Sequence, residues 1–600
     1  MQEETFVGAL ETIAHRGPDD WGVRWSERRD VLLGHRRLSI IDLSPAGHQP
    51  MSNEDGTVWI TFNGEVYNFG DLHDELVARG HTFRSRSDTE VIIHGYEEYG
   101  AGIVERLRGM FVFAIWDERK GRLLLARDRV GIKPLLELPG VERELDPHAL
   151  DEYLAFGQVY APLTMFKGIF KFPAAHHGTV GANGELAIER YWSPYGRAID
   201  IDPGATEKQY QEKLVELLDE SVRLRMISDV PVGVFLSGGV DSTANVALMS
   251  RIGGGQVHTF TAGFEGQEAY DERPWARRAA AHFNTRHDEV SITRDSLLDT
   301  LPELSYYLDE PTADPTTVPI FFLSRLARQH GAIVILNGDG ADELFVGYRK
   351  YLRFLKVEPY WRAYGVLPKG ARRLFASVGG AAGVDGVLSD LAERAARGVD
   401  LYIGSTGALK GSKEFREILG NGNGDGIYRA VRQGRRDFDR ERRSSDYAEW
   451  LSYWGVRSEV EHTFLYRADR MGMANSIEIR VPFLDHRLVE FAMQMPQALK
   501  YKGGETKYIL KHALEGLVPN EFLYRKKQGF CVPIREWAGD MMNATILEGL
   551  PRIRSDWGAL SQGFLDSIAS RLGPDSQENT DGFLSWNLYS LATWYSRWFS

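Results

Sequence analysis

Residues 234–243 read Val-Phe-Leu-Ser-Gly-Gly-Val-Asp-Ser-Thr, a run suited to holding an anion. Glycines let the main chain approach a ligand closely, and a helix starting just after them aims free N–H groups at a phosphate. Ser237, Ser242 and Thr243 add hydroxyl donors. A bare phosphate would repel Asp241, so this residue points to a bridging Mg2+. The spacing is not G-x-x-x-x-G-K-[ST], which excludes a Walker loop. Farther along, Gly338-Asp339-Gly340-Ala341-Asp342-Glu343 crowds three acids into one turn. Such crowding is costly unless a cation or a basic side chain sits among the acids. The bland alternatives are a glycine turn without a ligand and a solvated acidic turn.

Both clusters need rigid elements behind them. Val230–Leu236 and Ala332–Leu336 are apolar runs that each feed one cluster, and Val257–Phe264 is a third such run. Runs of this kind suit strands of a parallel sheet covered on both faces. Glu207–Ile227 predicts a long helix with Leu214, Leu217, Leu218 and Val222 on one face. The alternation implies a doubly wound α/β domain. Upstream, to about Trp192, short β-like runs such as Thr57–Phe62 and Phe111–Trp116 alternate with turn signals and one short helix, Asp71–Gly80. The Pro- and Gly-rich stretch Ser193–Thr206 marks a boundary, so residues 1–192 and 193–600 are expected as two domains. A loop is expected at Gly420–Gly426, a solvated helix at Arg432–Arg443, and a packed terminal helix at Phe583–Phe599.

The 600 residues are 43% hydrophobic and 26% charged, which excludes whole-chain disorder. A net charge of −13 gives no support to a nucleic-acid partner. Cys531 is the single cysteine, so an intramolecular disulfide and a Cys-based zinc site are both out of reach. It is read as a small buried hydrophobe, in a chain suited to a reducing compartment. No apolar run approaches the ~20 residues of a membrane helix, and the N-terminus has no leader pattern. The expectation is a cytoplasmic protein with no membrane partner.

The 234–243 loop resembles the pyrophosphate loop of the ATP pyrophosphatases. By itself it does not choose among asparagine, NAD, GMP and argininosuccinate synthetases or tRNA thiolases. Val334–Tyr348 (VILNGDGADELFVGY) narrows the choice, because it resembles the second signature of the asparagine synthase family. Thr259–Phe264, Arg467–Asp485 (with Glu478, Arg480 and Pro482–Asp485), Glu505–Leu510 and Arg525–Pro533 resemble that family as well. The resemblance implies ATP as substrate, with Mg2+ held by Asp241 and Asp342. It implies ATP or pyrophosphate contacts at Leu236, Ser237, Gly238, Gly239, Asp241, Ser242, Ala262, Asn337, Gly338 and Tyr348. Catalytic roles fall to Asp339, Lys507 and Arg480. Asn337 departs from the Ser or Thr usual in the family.

The first part resembles the family's glutaminase domain, an N-terminal-nucleophile α/β/β/α sandwich, through His15–Asp20, Gly34–Ser44, Phe62–Asn68, Ser87–Val91, Gly109–Asp117 and Arg127–Leu135. By that resemblance Arg37 and Asp88 bind the amino-acid end of glutamine. Asn63 and Gly64 form an oxyanion hole, and Glu65 helps hold the substrate. The family's nucleophile is a cysteine exposed when the first methionine is removed; here Gln2 stands there, and residues 1–192 contain no cysteine. A short strand before residues 1–14 and a strand pair after Leu135 are also missing from the pattern. The sandwich is therefore expected to be incomplete, through trimming of the sequence or true degeneration, and its glutaminase inactive.

Together these readings predict an ATP-dependent ligase that makes an amide through an acyl-adenylate. Its partners are small molecules: a carboxylate, ATP, and glutamine or ammonia. Aspartate is the expected acceptor. The rival is a related amidotransferase or cyclase acting on a sugar acid, a peptide or a lasso- or β-lactam-type substrate. The resemblance also implies a homodimer, which is common in the family.

Overall fold

The computed structural model describes residues 3–134, 143–181, 184–202, 204–368, 370–372, 391, 394–395, 397–401, 427–527, 532–572 and 582–599. Gln2, residues 135–139, Gly420–Gly426 and Cys531 lie outside them.

The antiparallel part comes first in the chain. Strands β1 (Asp20–Trp25) and β2 (Leu32–Arg37) form a two-stranded sheet. A six-stranded meander follows: β3 (Met51–Ser52), β4 (Val58–Val66), β5 (Gly109–Asp117), β6 (Arg122–Arg127), β7 (His176–Val180) and β8 (Leu186–Arg190). Alternation in β4 sets its two faces. Val58, Ile60 and Phe62 pack with Leu72 and Leu76 of the helix Phe69–Ala78 and with Ile92 and Ile93 of the helix Asp88–Tyr99. Thr61 turns the other way, and its Oγ1 donates to Gly34 O on β2 at 3.0 Å. A Cβ on Gly34 would stand 2.4 Å from the Phe6 ring, on the helix Glu3–Thr12, so any larger residue would displace that ring. The layers thus run helices, six strands, two strands, helix. This is the expected α/β/β/α sandwich, with one sheet reduced to two strands among the described residues.

The parallel part is built from β9 (Val232–Phe235), β10 (His258–Phe264), β11 (Arg286–Ile292), β12 (Val334–Leu336) and β13 (Glu478–Arg480). They lie in the order β11-β10-β9-β12-β13 and all neighbours are parallel. The chain moves outward from β9 to β11, then returns to β12 on the other flank of β9. That reversal opens a crevice at the carboxyl ends of β9 and β12. The glycine-serine loop and the acidic turn follow those two strands, so topology alone sets them side by side. The helix Glu207–Arg225 buries Leu214, Leu217, Leu218 and Val222 in one core with Val234 and Val334 of this sheet, and a Thr206–Gln209 capping box starts it.

Helical additions complete the fold. The helix Gly582–Phe599 buries Leu584, Leu588, Leu591 and Trp594, with Trp598 half-buried against the same core. Residues 145–166 pack with it: Tyr153 OH donates to Asn587 O at 2.8 Å, and the Phe166 and Trp594 rings are 5.4 Å apart. The helix Arg429–Glu441 exposes Arg436 and Arg440 and buries Val431 and Phe438. Another core spans both parts, mixing Ile40, Tyr67, Met110 and Ile132 with Leu217, Leu344, Val481 and Leu488. Among the described residues no helix is long and apolar enough to cross a membrane.

Candidate active site

At the end of β9, Leu236 N donates to Phe260 O at 2.9 Å and Ser237 begins the turn. Ser237 N donates to Ser242 Oγ at 3.2 Å, and the two hydroxyls lie 3.1 Å apart, so the loop closes on the first turn of the helix Val240–Ile252. Gly238 adopts a φ of +69°, and a Cβ there would stand 2.7 Å from the Trp275 carbonyl carbon. No other residue type combines that conformation with that contact. The first N–H groups of the helix have no intrahelical partner and border the crevice.

The acidic turn meets this loop directly, since a Cβ on Gly338 would lie 2.9 Å from Asp241 Cβ. Asn337 Nδ2 donates to Asp339 Oδ2 at 2.8 Å, and Asn337 Oδ1 accepts from Gly338 N at 2.7 Å. Gly340, with a φ of +96°, turns the chain into the short helix Ala341–Leu344 that carries Asp342. The crowded acids find basic partners within the protein. Lys507 Nζ is 2.7 Å from Asp241 Oδ2 and 2.9 Å from Asp342 Oδ1, and Lys527 Nζ is 2.5 Å from Asp342 Oδ1. Burial disfavours the Lys507 ammonium, but Asp241 and Asp342 outweigh it and hold the lysine charged. Burial also opposes the Asp342 carboxylate, and Lys507 and Lys527 overcome this to keep it well below the usual range.

These groups wall a cavity of about 1040 Å3. Ligand sites of ~300–1,000 Å3 hold drug-sized molecules, so a nucleotide and a second small substrate fit together. Leu236, Ser237, Gly239, Asp241, Ser242, Ala262, Asn337, Gly338, Asp339, Asp342, Tyr348 and Lys507 line it. Arg467, Arg525 and Glu343, each within a run that the sequence marks but without an assigned role there, line it too. Arg467 pairs with Asp314, bonds the Thr316 hydroxyl and reaches Asp339 Oδ1 at 3.2 Å. Arg525 pairs with Glu272 at 2.7 Å and reaches Ser237 O at 3.4 Å. Glu343, the third acid of the turn, also faces the cavity.

Other expected residues lie elsewhere. Thr243 is fully buried on the far side of its helix, so its hydroxyl adds nothing to the crevice. Gly238 faces Trp275 and not the cavity. Arg480 is 0% exposed and does not line the cavity. Its guanidinium reaches Glu478 and Glu65, each at 2.9 Å, and the Arg225 and Ile227 carbonyls, while its own carbonyl accepts from Asn337 N at 2.8 Å. It therefore braces the acidic turn from behind.

Four of the five residues expected to hold glutamine lie on or against β4. Glu65 is held by Arg480 and buried. Gly64 stands on β4 with a φ of +157°, where a Cβ would meet Met110 O at 2.1 Å, and Asn63 precedes it. Asp88 Oδ2 accepts from Val66 N at 2.8 Å, and burial pushes that carboxyl up to about 7. Arg37 spends its guanidinium on the Ile41, Asp42 and Ser44 carbonyls. It lines a separate cavity with Asp19, Ser39 and His48, to which Asn63, Gly64, Glu65 and Asp88 do not contribute.

Comparison with known proteins matches residues 213–596 to the family described as Asparagine synthase, and residues 1–138 to the Glutamine amidotransferase domain. The glutamine-hydrolyzing asparagine synthetase 1 of Bacillus subtilis is 35% identical over 575 residues, covering 92% of this chain and 88% of that protein. A putative glutamine-hydrolyzing asparagine synthetase of Mycobacterium tuberculosis is 35% identical over 579 residues, covering 89% of this chain and 85% of its own length. Amidase chry2 of Gibberella zeae is 28% identical over 626 residues, covering 96% of this chain and 91% of itself.

Proposed function

The chain belongs to the asparagine synthase family and is an ATP-dependent amide-forming ligase, and we propose that it converts aspartate to asparagine through an acyl-adenylate, releasing AMP and pyrophosphate. One observation carries this reading: Lys507 bridges Asp241 and Asp342 at the point where the phosphate-type loop meets the acidic turn. Two carboxylates aimed at one cation-sized point suit Mg2+, which takes oxygen ligands and shares them with phosphates. Asp241 and Asp342 would hold that ion, which neutralises phosphate charge when bound. The loop amides and the Ser237 and Ser242 hydroxyls receive the leaving pyrophosphate. Lys507 turns from the carboxylates to the phosphate oxygens as charge develops there, an electrostatic clamp of the kind that dominates such reactions. Asp339, oriented by Arg467 and Asn337, stands beside the reacting carboxyl and accepts the proton that nitrogen loses on attack.

Residues 1–192 act as a glutaminase-like unit and 193–600 as the synthetase, in a cytoplasmic enzyme. The segment 145–166 braces the first unit against the second. The name of the Gibberella relative favours a second reading, another carboxylate acceptor such as a sugar acid or peptide. Pyrophosphate release separates the two. ATP, ammonium and aspartate together are expected to release it. Silence with aspartate, but release with a sugar acid or peptide, would transfer the assignment to that acceptor.

A further inference from the structure

A second cluster of ionisable side chains lies on the helical layer of the sandwich, and none of its members lines the cleft. His94 and Glu97 stand one turn apart on the helix Asp88–Tyr99, so they share a face. His81 comes from the segment between the helices Phe69–Ala78 and Asp88–Tyr99, and Glu54 from the turn between β3 and β4. Ligand atoms of Glu54, His81 and His94 all fall within 4.8 Å of one another. Glu97 borders the group, its Oε2 lying 2.8 Å from His94 Nδ1 and 3.6 Å from His81 Nδ1. Glu54 Oε2 is 3.9 Å from His94 Nδ1. A tetrahedral ion with bonds of about 2.0–2.1 Å needs its ligand atoms roughly 3.3–3.4 Å apart. Separations of 2.8, 3.6 and 3.9 Å bracket that value, and the remaining pairs among Glu54, His81 and His94 stay within 4.8 Å.

The surroundings point the same way. His94 is 0% exposed, and its outer nitrogen, Nε2, makes no hydrogen bond; the Glu90 carboxylate faces it at 3.7 Å. His81 Nε2 meets Glu98 Oε1 at 3.1 Å. Both rings therefore turn Nδ1 inward and Nε2 toward an outer carboxylate, the contact that fixes the tautomer of a metal-bound imidazole. Glu97 is held in place through its other oxygen by Asn53 Nδ2 at 2.7 Å. Four carboxylates, Glu54, Glu90, Glu97 and Glu98, surround two imidazoles, with Arg79 the added cation on Glu98 at 3.3 Å. Internal ion pairing leaves this group short of positive charge.

We propose that Glu54, His81, His94 and Glu97 bind one divalent cation of borderline softness, with zinc the best fit. Two imidazole nitrogens and two carboxylate oxygens suit Zn2+ and Co2+, whereas Mg2+ and Ca2+ favour oxygen alone. Four protein ligands make a closed site with no position for substrate, so its role is structural. The ion ties the β3–β4 turn and the segment ahead of Asp88 to one helix, and by binding only the folded state it stabilises that state.

The test uses metal-stripped full-length protein titrated with Co2+, a coloured substitute for zinc. The expected result is the intense visible absorption of tetrahedral Co2+, saturating at one ion per chain and displaced by Zn2+, with a higher Tm in Zn2+. His81→Gln and Glu54→Gln, at half-buried and exposed residues, should weaken Co2+ binding by about tenfold or more. His94→Gln should abolish the absorption, while Asp241→Asn, in the ATP cleft, should leave it unchanged. Absence of tetrahedral absorption in the parent, or full-affinity binding in His81→Gln, would overturn the site and leave only an ion-pair cluster.

Discussion

At the scale of single residues, Lys507 is the busiest group in the cleft. It is 3% exposed and in contact with two carboxylates, so removing its charge leaves both acids facing each other. Lys507→Met is expected to lower the rate of pyrophosphate release by roughly 10²–10³, the range found when one electrostatic donor to a developing charge is lost. Steady-state assays with ATP, ammonium and the acceptor would measure this. A variant within tenfold of the parent would remove Lys507 from the reaction. Asp241, Asp339, Asp342 and Lys507 were legible because each sits in a contiguous run whose residue types make sense only together. Asp314 and Thr316, the partners of Arg467, were not. Their contacts join positions far apart in the chain, and no local pattern announces such a pair. Arg480 and Glu65 both stand in recognisable runs, but their pairing with each other across 415 positions has no local signal.

Among the elements, β9, β10 and β12 were readable as apolar runs, since a central parallel strand is covered on both faces. The strands β11 (RHDEVSI) and β13 (EIR) were not. The first is an edge strand with half-buried charges. The second is three residues long, and its two charged side chains are tolerated inside because Lys133, Glu65 and one another pair them. A similar hidden element delivers Lys507: the hairpin of Tyr501–Lys502 and Glu505–Thr506. It is anchored at Lys500, which is 0% exposed, accepts from Tyr508 N at 2.9 Å and touches Ser452 Oγ at 3.3 Å. Burial pushes the Lys500 ammonium down to about 7, against the pull of Glu449 and Asp446. An unfolded lysine titrates near ~10.4. Between those values the unfolded chain holds more protons than the native one, so this group makes stability rise with pH across that window. Lys500→Met should raise the unfolding free energy at pH 7 by about 1–3 kcal/mol, as apolar replacement of a poorly paired buried charge often does. It should also flatten the rise toward pH 10. Urea unfolding at pH 7 and pH 9 would show both effects, and destabilisation at pH 7 would mean that the lysine is charged and well paired.

For the whole molecule, the interface between the sandwich and the synthetase decides whether the two behave as one body. Its apolar core is shared, and a buried charge cluster locks it. Asp485 accepts from Arg108 of the sandwich at 2.9 and 3.0 Å and from Arg225 at 3.1 Å, while Arg108 also reaches Glu220 at 2.6 Å. Burial alone would raise the Asp485 carboxyl, but Arg225 and Arg108 outweigh it and hold the group well below the usual carboxylate range. An acid whose folded value lies below its unfolded value, about 3.9, binds fewer protons in the native state as the pH falls. Its stabilisation is therefore complete above ~4 and is lost progressively below that. Asp485→Asn leaves two buried guanidinium groups short of a counter-charge, and at pH 7 it should cost ~3–5 kcal/mol. The gap between parent and variant should then narrow as the pH drops from ~5 toward ~3, because acid removes from the parent what the substitution has already removed. Because the interface core is continuous, tryptophan fluorescence and protease cleavage within either part should report one shared urea transition in the parent. A gap that stays constant down to pH 3 would mean that Asp485 is not the group whose titration loosens the interface. Separate transitions for the two parts would mean that the shared core does not couple their unfolding.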